Sequence, residues 1–253
     1  LVNTKLQSIY NLQKKHQVQT VAELLVIQNE LDAKVIRVDD LDSVINKLQA
    51  ELNSKQTKVD EIAKSIFENR KKTAPILIEK IRAISAQLGM VEANFQIEIN
   101  HTDSYYPKGK DEVILLFSAN KGTSFGLLKK VASGGEMSRI MLAIKAILAN
   151  YSKLPTIIFD EIDTGVSGEI AIKMGEIMKE MSTTMQVFAI THLPQIAAKG
   201  NSHYKVSKRN LGETTISELN LLTSEERIQQ IAEMLSGKEI TDSALQHAKA
   251  LLN

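Results

Sequence analysis

A long heptad repeat constrains the fold of this chain more than any other feature. Apolar residues recur at alternating steps of three and four over about six repeats, a spacing typical of a coiled coil. At 1.5 Å per residue, such a helix runs roughly 65–75 Å. A helix with one narrow apolar stripe is stable only when another helix covers that stripe. The apolar positions are Leu24, Ile27, Leu31, Val38, Leu41, Ile45, Leu48, Leu52, Val59, Ile62 and Ile66, and Lys34 and Lys55 occupy two interrupted positions.

Local signals predict where this helical arm starts and stops. Thr20 and Glu23 fit a capping box at the start of the long helix. Residues 1–15 predict a shorter helix, which is separated by a break at residues 16–19 and cannot cover the whole stripe. The main partner helix is therefore expected to lie outside this chain.

Pro75 is expected to interrupt the long helix, because proline lacks the N–H and clashes with the preceding turn. A return helix should follow and end near Gly89. We therefore expect a coiled-coil arm over residues 1–89 and a separate lobe over residues 90–253.

The second half predicts an α/β fold. Short apolar runs at residues 155–161 and 186–191 alternate with helical stretches, as a parallel sheet requires. Asn210, Leu211 and Gly212 predict a hairpin turn. Further strands are expected at residues 95–100, 112–120, 204–209 and 214–219, and closing helices at residues 223–235 and 241–252.

Composition narrows the class of protein. Hydrophobic residues make up 43%, which allows a packed core, and the net charge of +1 gives no overall sign of a nucleic-acid partner. The absence of cysteine excludes disulfides and thiolate chemistry. No apolar run approaches the roughly 18 residues of a membrane span. The chain begins at Leu1 within a helical pattern, so we interpret it as a piece of a longer protein.

Asp160 and Glu161 are the strongest candidates for chemistry. They follow the apolar run 156–159, and ligands bind at the carboxyl edge of a parallel sheet. A strand-end Asp commonly holds Mg²⁺ in nucleotide-hydrolysing proteins, and a neighbouring Glu can take a proton from water. A strand that simply ends in solvated acids would look the same.

Two further sequence features are candidates for binding an anion. The run Ser133, Gly134, Gly135 and Glu136 precedes a helix, whose free N–H groups can bind an anion; an ordinary loop and cap is the alternative. His192 follows the second parallel strand and could contact a phosphate oxygen, although a lone histidine is usually structural.

Taken together, the order of these motifs resembles the C-terminal half of an ABC-type ATPase head. Residues 133–136 match the signature motif, 157–161 the Walker B strand, 162–165 the D-loop and His192 the switch histidine. The longer runs 131–139, 159–168 and 191–198 are similar to the RecN family, bacterial DNA-repair relatives of the SMC proteins. The resemblance covers residue 89 to the end, and it implies the C-terminal lobe of an ABC-type head with a coiled-coil arm.

The resemblance implies roles for single residues and for the cofactors ATP and Mg²⁺. Asp160 would hold the magnesium shell, Glu161 would activate the attacking water, and His192 would sense the γ-phosphate. Asp163 would bridge the two heads. The signature residues, Ser133, Gly134, Gly135 and Glu136, would bind the ATP of the opposite head.

One motif of the family is absent. A Walker A loop needs Gly-x-x-x-x-Gly-Lys-Ser/Thr, and the two Gly-Lys pairs, at 109–110 and 237–238, do not fit it. The resemblance implies that this loop lies in an N-terminal lobe beyond the coiled coil. We therefore expect this chain alone to hydrolyse little or no ATP.

The expected partners are the N-terminal lobe and partner helix of the same protein, a second copy joined through ATP between the heads, and DNA, with no membrane. The expected location is the bacterial cytoplasm, at the nucleoid. The ATPase subunit of an ABC transporter and a non-enzymatic coiled-coil scaffold remain alternatives. Lysines around the first strands (Lys108, Lys110, Lys121, Lys129 and Lys130) could touch DNA phosphates or form a solvated face.

Overall fold

The computed structural model describes residues 2–151, 154–166, 168–211, 214–237 and 239–253. The chain divides into two compact units, Leu1–Ile66 and Phe67–Asn253. The predicted domain division after residue 89 stays a prediction, and the second compact unit already begins at Phe67. Within the described ranges, no helix combines the length and the apolar content that crossing a membrane requires.

The first unit contains a short helix and the start of a long one. Helix α1 spans Val2–His16, and helix α2 spans Val21–Gln87. Gln17 adopts a left-handed backbone (φ 57°), which ends α1. The predicted capping box starts α2: the Thr20 N–H donates to the Glu23 carboxylate at 2.8 Å, and the Glu23 N–H donates to the Thr20 hydroxyl at 3.2 Å. The backbone N–H groups of Thr20 and Gln19, which both donate to the Glu23 carboxylate, lower the pKa of Glu23. The predicted break at residues 16–19 and the capping box are both confirmed.

Most of the heptad stripe is exposed on this unit, whereas Leu24, Ile27 and Ile66 are half-buried. Each of the apolar positions below is between 46% and 61% exposed. The side chain of Val38, another predicted position of the stripe, lies outside the described residues. A stripe this exposed needs a covering helix. The exposed positions are Leu31, Leu41, Ile45, Leu48, Leu52, Val59 and Ile62.

Pro75 lies inside α2, so the predicted break and separate return helix are wrong. Proline in a helix interior costs about 3 kcal/mol. The chain after Pro75 buries Ile81 (1% exposed) within α2 and Leu88 (0% exposed) just after its end, both in the core of the second unit. Each such side chain contributes about 1.5–3 kcal/mol on burial, so tertiary packing outweighs the local cost.

The end of α2 was predicted correctly at Gly89. The Met90 N–H donates to the Ser85 carbonyl at 3.0 Å and the Gly89 N–H to the Ala86 carbonyl at 3.2 Å, the two bonds of a Schellman motif. Gly89 has φ 77°, and a Cβ there would lie 2.5 Å from Cδ1 of Ile170. The positive φ favours glycine, and any larger residue would also have to displace the Ile170 side chain.

An antiparallel sheet follows. Strands β1 (Asn94–Tyr106), β2 (Gly109–Ser118) and β3 (Gly126–Leu127) pair in the order β1-β2-β3. β1 extends six residues beyond the predicted strand and turns directly into β2, because Tyr106 pairs with Gly109. Helices α3 (Leu128–Val131) and α4 (Gly134–Ala149) come next.

The second unit also contains a parallel pair of strands. β4 (Thr156–Asp160) and β5 (Gln186–Ile190) pair in parallel and are connected through α5 (Gly168–Met181). The short helix α6 (Pro194–Ala197) follows β5. Residues from α2, β1, β2, α4, β4 and α5 share one hydrophobic core. The predicted α/β fold with a parallel sheet is confirmed.

The chain closes with a hairpin and two helices. Strands β6 (Tyr204–Leu211) and β7 (Thr214–Leu221) are antiparallel, and Gly212 of the predicted turn lies outside the described residues. Helix α7 (Ser224–Ser236) starts with the predicted capping box of Thr223 and Glu226, and helix α8 (Asp242–Leu252) packs on it.

Candidate functional site

The parallel register brings the predicted acidic residues and the predicted histidine to one edge of the sheet. Asp160 pairs with Ile190, so both strands end at the same level. The Glu161 N–H donates to the Ile190 carbonyl at 3.0 Å, which extends the pairing by one residue. His192 lies two residues beyond Ile190. Asp160, Glu161 and His192 are all exposed at this edge.

Glu161 has an unusual backbone. Its φ is 47°, in the left-handed region that costs a non-glycine residue roughly 1–2 kcal/mol. Hydrogen bonds hold its peptide groups on both sides, because its carbonyl also accepts from the Thr164 hydroxyl at 2.9 Å. A strained backbone held by its surroundings is a feature that concentrates at functional sites.

Ser133 and Glu136 form a capping box at the start of α4. The Ser133 N–H and hydroxyl both donate to one Glu136 carboxylate oxygen at 2.8 Å, and the Glu136 N–H donates to the Ser133 hydroxyl at 3.3 Å. The cap that the sequence left open as an alternative to anion binding is therefore present. Ser133 and Glu136 satisfy each other at this helix start.

Gly134 and Gly135 are not required by the packing of the chain itself. Neither has a positive φ. A Cβ on Gly134 would meet nothing within 4 Å, and one on Gly135 would lie 3.6 Å from the nearest atoms, an ordinary contact. Backbone without side chains at an exposed helix start allows a partner outside the chain to approach closely.

The start of α4 is adjacent to the loop that follows β4. The 3.6 Å neighbours of that added Cβ are the Thr164 carbonyl oxygen and Nη1 of Arg139. The glycine turn thus lies beside the loop after β4, and Asp163 of that loop also contacts Thr191. That these residues surround one nucleotide stays a prediction. The contact of Arg139 with the glycine turn was not predicted, although Arg139 lies one helical turn after Gly135 on the same helix face.

Asp163 lies inside this region rather than at its surface. Its side chain is 1% exposed, and its Oδ2 accepts a hydrogen bond from the Thr191 hydroxyl. Nδ1 of His192 lies 3.9 Å from the same oxygen. The assignment of Asp163 to a bridge between two heads stays a prediction, and it would require this side chain to leave its buried position. Thr191 belongs to the run 191–198, but no role was predicted for it.

The acidic edge suits a magnesium ion that is held mainly by its nucleotide. Within the described ranges, no group of three or more His, Cys, Asp or Glu side chains could hold a metal ion. Mg²⁺ in nucleotide sites typically takes one or two carboxylates, with phosphates and waters as its other ligands. A single exposed carboxylate at Asp160 fits that arrangement.

Comparison with known proteins gives consistent relatives. No family model matches the chain. The DNA repair protein RecN of Rickettsia conorii is 42% identical over 208 residues, which cover 82% of this chain and 38% of that protein. RecN of Deinococcus radiodurans is 33% identical over 99% of this chain and 44% of that protein, and RecN of Halalkalibacterium halodurans is 34% identical over 100% and 45%.

Solved structures support the same fold. The Smc head domain with a coiled coil and joint from Pyrococcus yayanosii has a TM-score of 0.59 at 20% identity, covering 82% of this chain and 38% of that chain. The Smc head domain with an extended coiled coil from Pyrococcus furiosus has a TM-score of 0.55 at 20% identity, covering 92% and 56%. The chain spans less than half the length of the RecN proteins that it matches. Its sequence and its SMC-like head fold together show that the chain belongs to the RecN family.

Proposed function

We propose that this chain is the C-terminal part of an ATPase that acts in the repair of DNA double-strand breaks. In this proposal, two heads close over two ATP molecules, and each site combines one head's phosphate loop with the other head's residues 133–136. The observation that carries the proposal is that Asp160, Glu161 and His192 lie at the ends of two paired strands, with Gly135 beside Thr164 of the loop that follows β4. The RecN names of the relatives support the link to DNA repair.

Asp160, Glu161 and His192 would act within one head. When bound, Mg²⁺ would neutralise charge on the phosphate oxygens of ATP. Asp160 would provide its protein carboxylate. Glu161 would orient the attacking water and accept its proton at a carboxylate oxygen. A ring N–H of His192 would donate a hydrogen bond to the γ-phosphate.

Residues 133–136 would act on the nucleotide of the other head. The Ser133 N–H and hydroxyl now donate to Glu136. A γ-phosphate oxygen could replace that carboxylate as the acceptor, because the free N–H groups of a helix start favour an anion. Gly134 and Gly135 leave room for this approach. Loss of the γ-phosphate on hydrolysis would remove the attraction and favour opening.

An N-terminal lobe of the same protein would complete the site. Ile158 and Ile190, on the same sheet face as Asp160, are 63% and 55% exposed. Phe188, the partner of Ile158 on that face, is 44% exposed. Exposed apolar sheet surface beside an acidic edge favours a covering lobe that brings the missing phosphate loop to Asp160. A partner helix would likewise cover the exposed stripe of α2. The whole protein would work on DNA in the bacterial cytoplasm.

Glu161→Gln in the whole protein tests the proposal. Glutamine keeps the shape of the side chain but cannot accept the proton, so ATP turnover should fall roughly 100-fold or more. ATP-dependent dimers of the heads should then persist in light-scattering measurements. Glu169→Gln, an exposed change at the start of α5, is the matched control and should turn over normally. Normal turnover by Glu161→Gln would exclude Glu161 as the base.

The repair role has its own test. A bacterial strain that lacks the whole protein should be sensitive to double-strand breaks, and the wild-type gene should restore survival. The Glu161→Gln gene should fail to do so while the Glu169→Gln gene succeeds. Full survival with Glu161→Gln would show that repair does not require ATP hydrolysis by this protein.

A further inference from the structure

Thr191 joins the two loops of the candidate site through one hydroxyl group. As donor, this hydroxyl bonds to Oδ2 of Asp163, which lies 28 residues earlier in the chain. As acceptor, it takes the Leu193 N–H at 2.9 Å. Hydrogen bonds therefore hold both neighbours of His192. Thr191 bonds to Asp163 in the loop after β4, and Leu193 bonds to Thr191.

His192 depends on these ties because packing does not hold its ring. The side chain of His192 is 66% exposed, whereas the side chain of Asp163 is 1% exposed. Nδ1 of His192 lies 3.9 Å from Oδ2 of Asp163. The buried Asp163 carboxylate is held in place by its surroundings, whereas the exposed His192 ring is not.

The Asp163 carboxylate depends on Thr191 in turn. Its other oxygen, Oδ1, is buried and has no hydrogen-bond partner within the described part of the chain. Losing the Thr191 hydroxyl would also remove the hydrogen bond that Oδ2 accepts. A buried carboxylate without donors is costly, so the loop would be expected to rearrange.

We propose that Thr191 is a positioning residue for ATP hydrolysis. Through Asp163 it fixes the backbone of His192 relative to the acidic end of β4, so that His192 and Glu161 act on the same phosphate group. This inference rests on the proposed function. Thr191 itself does not touch the nucleotide.

The test compares variants of the whole protein that remove or keep the hydroxyl. Thr191→Val has nearly the same shape but neither donates nor accepts, and Thr191→Ser keeps both abilities. We expect kcat for ATP to fall about ten-fold in Thr191→Val, equivalent to ~1.4 kcal/mol, with KM within two-fold of wild type. Thr191→Ser should restore kcat to within about three-fold.

A matched control uses a threonine at the opposite end of the parallel strand pair. Thr156 begins β4, and its hydroxyl donates to the Gln186 side chain at 3.2 Å. Thr156→Val removes the same chemical group and one hydrogen bond, but far from the acidic edge, and should leave kcat and KM unchanged. Thermal unfolding of each variant fixes an assay temperature at which all are folded. If Thr191→Val does not fold, Thr191→Ala replaces it with the same expected fall in kcat.

A double-mutant cycle tests whether Thr191 acts through Asp163. In an Asp163→Ala background, removing the Thr191 hydroxyl should cause no further fall in kcat, whereas independent effects would multiply. Multiplying effects, or a wild-type kcat in Thr191→Val or Thr191→Ala, would overturn the inference. If the wild-type whole protein hydrolysed no ATP at all, the proposed function would be the statement that fails.

Discussion

Replacing Glu161 by glycine should stabilise the chain, although it removes the proposed base. The left-handed backbone at Glu161 (φ 47°) costs an L-residue about 1–2 kcal/mol, and glycine adopts it freely. Glycine also makes the unfolded chain more flexible, which costs about 0.4–1 kcal/mol. The side chain of Glu161 is exposed, so little packing is lost. The net gain is roughly 0–1.6 kcal/mol by these values. Its midpoint of about 0.8 kcal/mol corresponds to a rise in Tm of roughly 2–3 °C for a protein of this size.

Glu68→Gly is the matched control. Glu68 is an exposed glutamate inside α2 within the same compact unit. Glycine in a helix interior costs about 1 kcal/mol, so the same substitution should lower Tm there. Thermal unfolding followed by circular dichroism at 222 nm, a helix-sensitive wavelength, would compare the two variants with wild type. If Glu161→Gly lowered Tm as much as Glu68→Gly does, Glu161 would not be strained and this reasoning would be wrong.

Three further predictions concern the fold and the isolated chain. Arg70→Met should lower the free energy of unfolding by about 2–3 kcal/mol, because it leaves the fully buried Asp111 carboxylate without its 3.0 Å partner; guanidinium denaturation measures this, and an unchanged midpoint would contradict it. Burial, together with the charges of Arg227 and Lys205, lowers the pKa of the folded His203 below 6.5. The unfolded state therefore protonates His203 at a higher pH than the folded state, and the free energy of unfolding should decrease as pH falls below 6.5. His203→Phe should flatten this pH dependence in denaturation curves at pH 5 to 8, and an unchanged pH dependence would refute it. The purified 253-residue chain should hydrolyse ATP no faster than buffer in a phosphate-release assay, and robust turnover would show that a phosphate loop is not needed.

Features decided by neighbouring residues were predictable from the sequence. The capping boxes at Thr20 and Thr223 and the glycine end of α2 at Gly89 all form as expected. Each depends on bonds within a few residues, so the local pattern contains the needed information. The box at Ser133 and Glu136 has the same pattern, and a cap there was one of the two predicted alternatives.

Features decided by distant residues were not predictable in the same way. Pro75 carries a strong local signal against a helix, but the burial of Ile81 and Leu88 overrides it. At the site, the order of the motifs along two parallel strands predicted that Asp160 and His192 would meet. The bond between Thr191 and Asp163 spans 28 residues and depends on side-chain directions that no spacing rule specifies.

The most direct test of the account is a structure of the whole protein with Mg²⁺ and a non-hydrolysable ATP analogue. The account predicts a γ-phosphate between two heads, within hydrogen-bond distance (about 3 Å) of His192 of one head and of Ser133 of the other. Glu136 should have released the Ser133 hydroxyl to that phosphate. A nucleotide bound away from the edge of β4 and β5, with Ser133 still bonded to Glu136, would contradict the central claim.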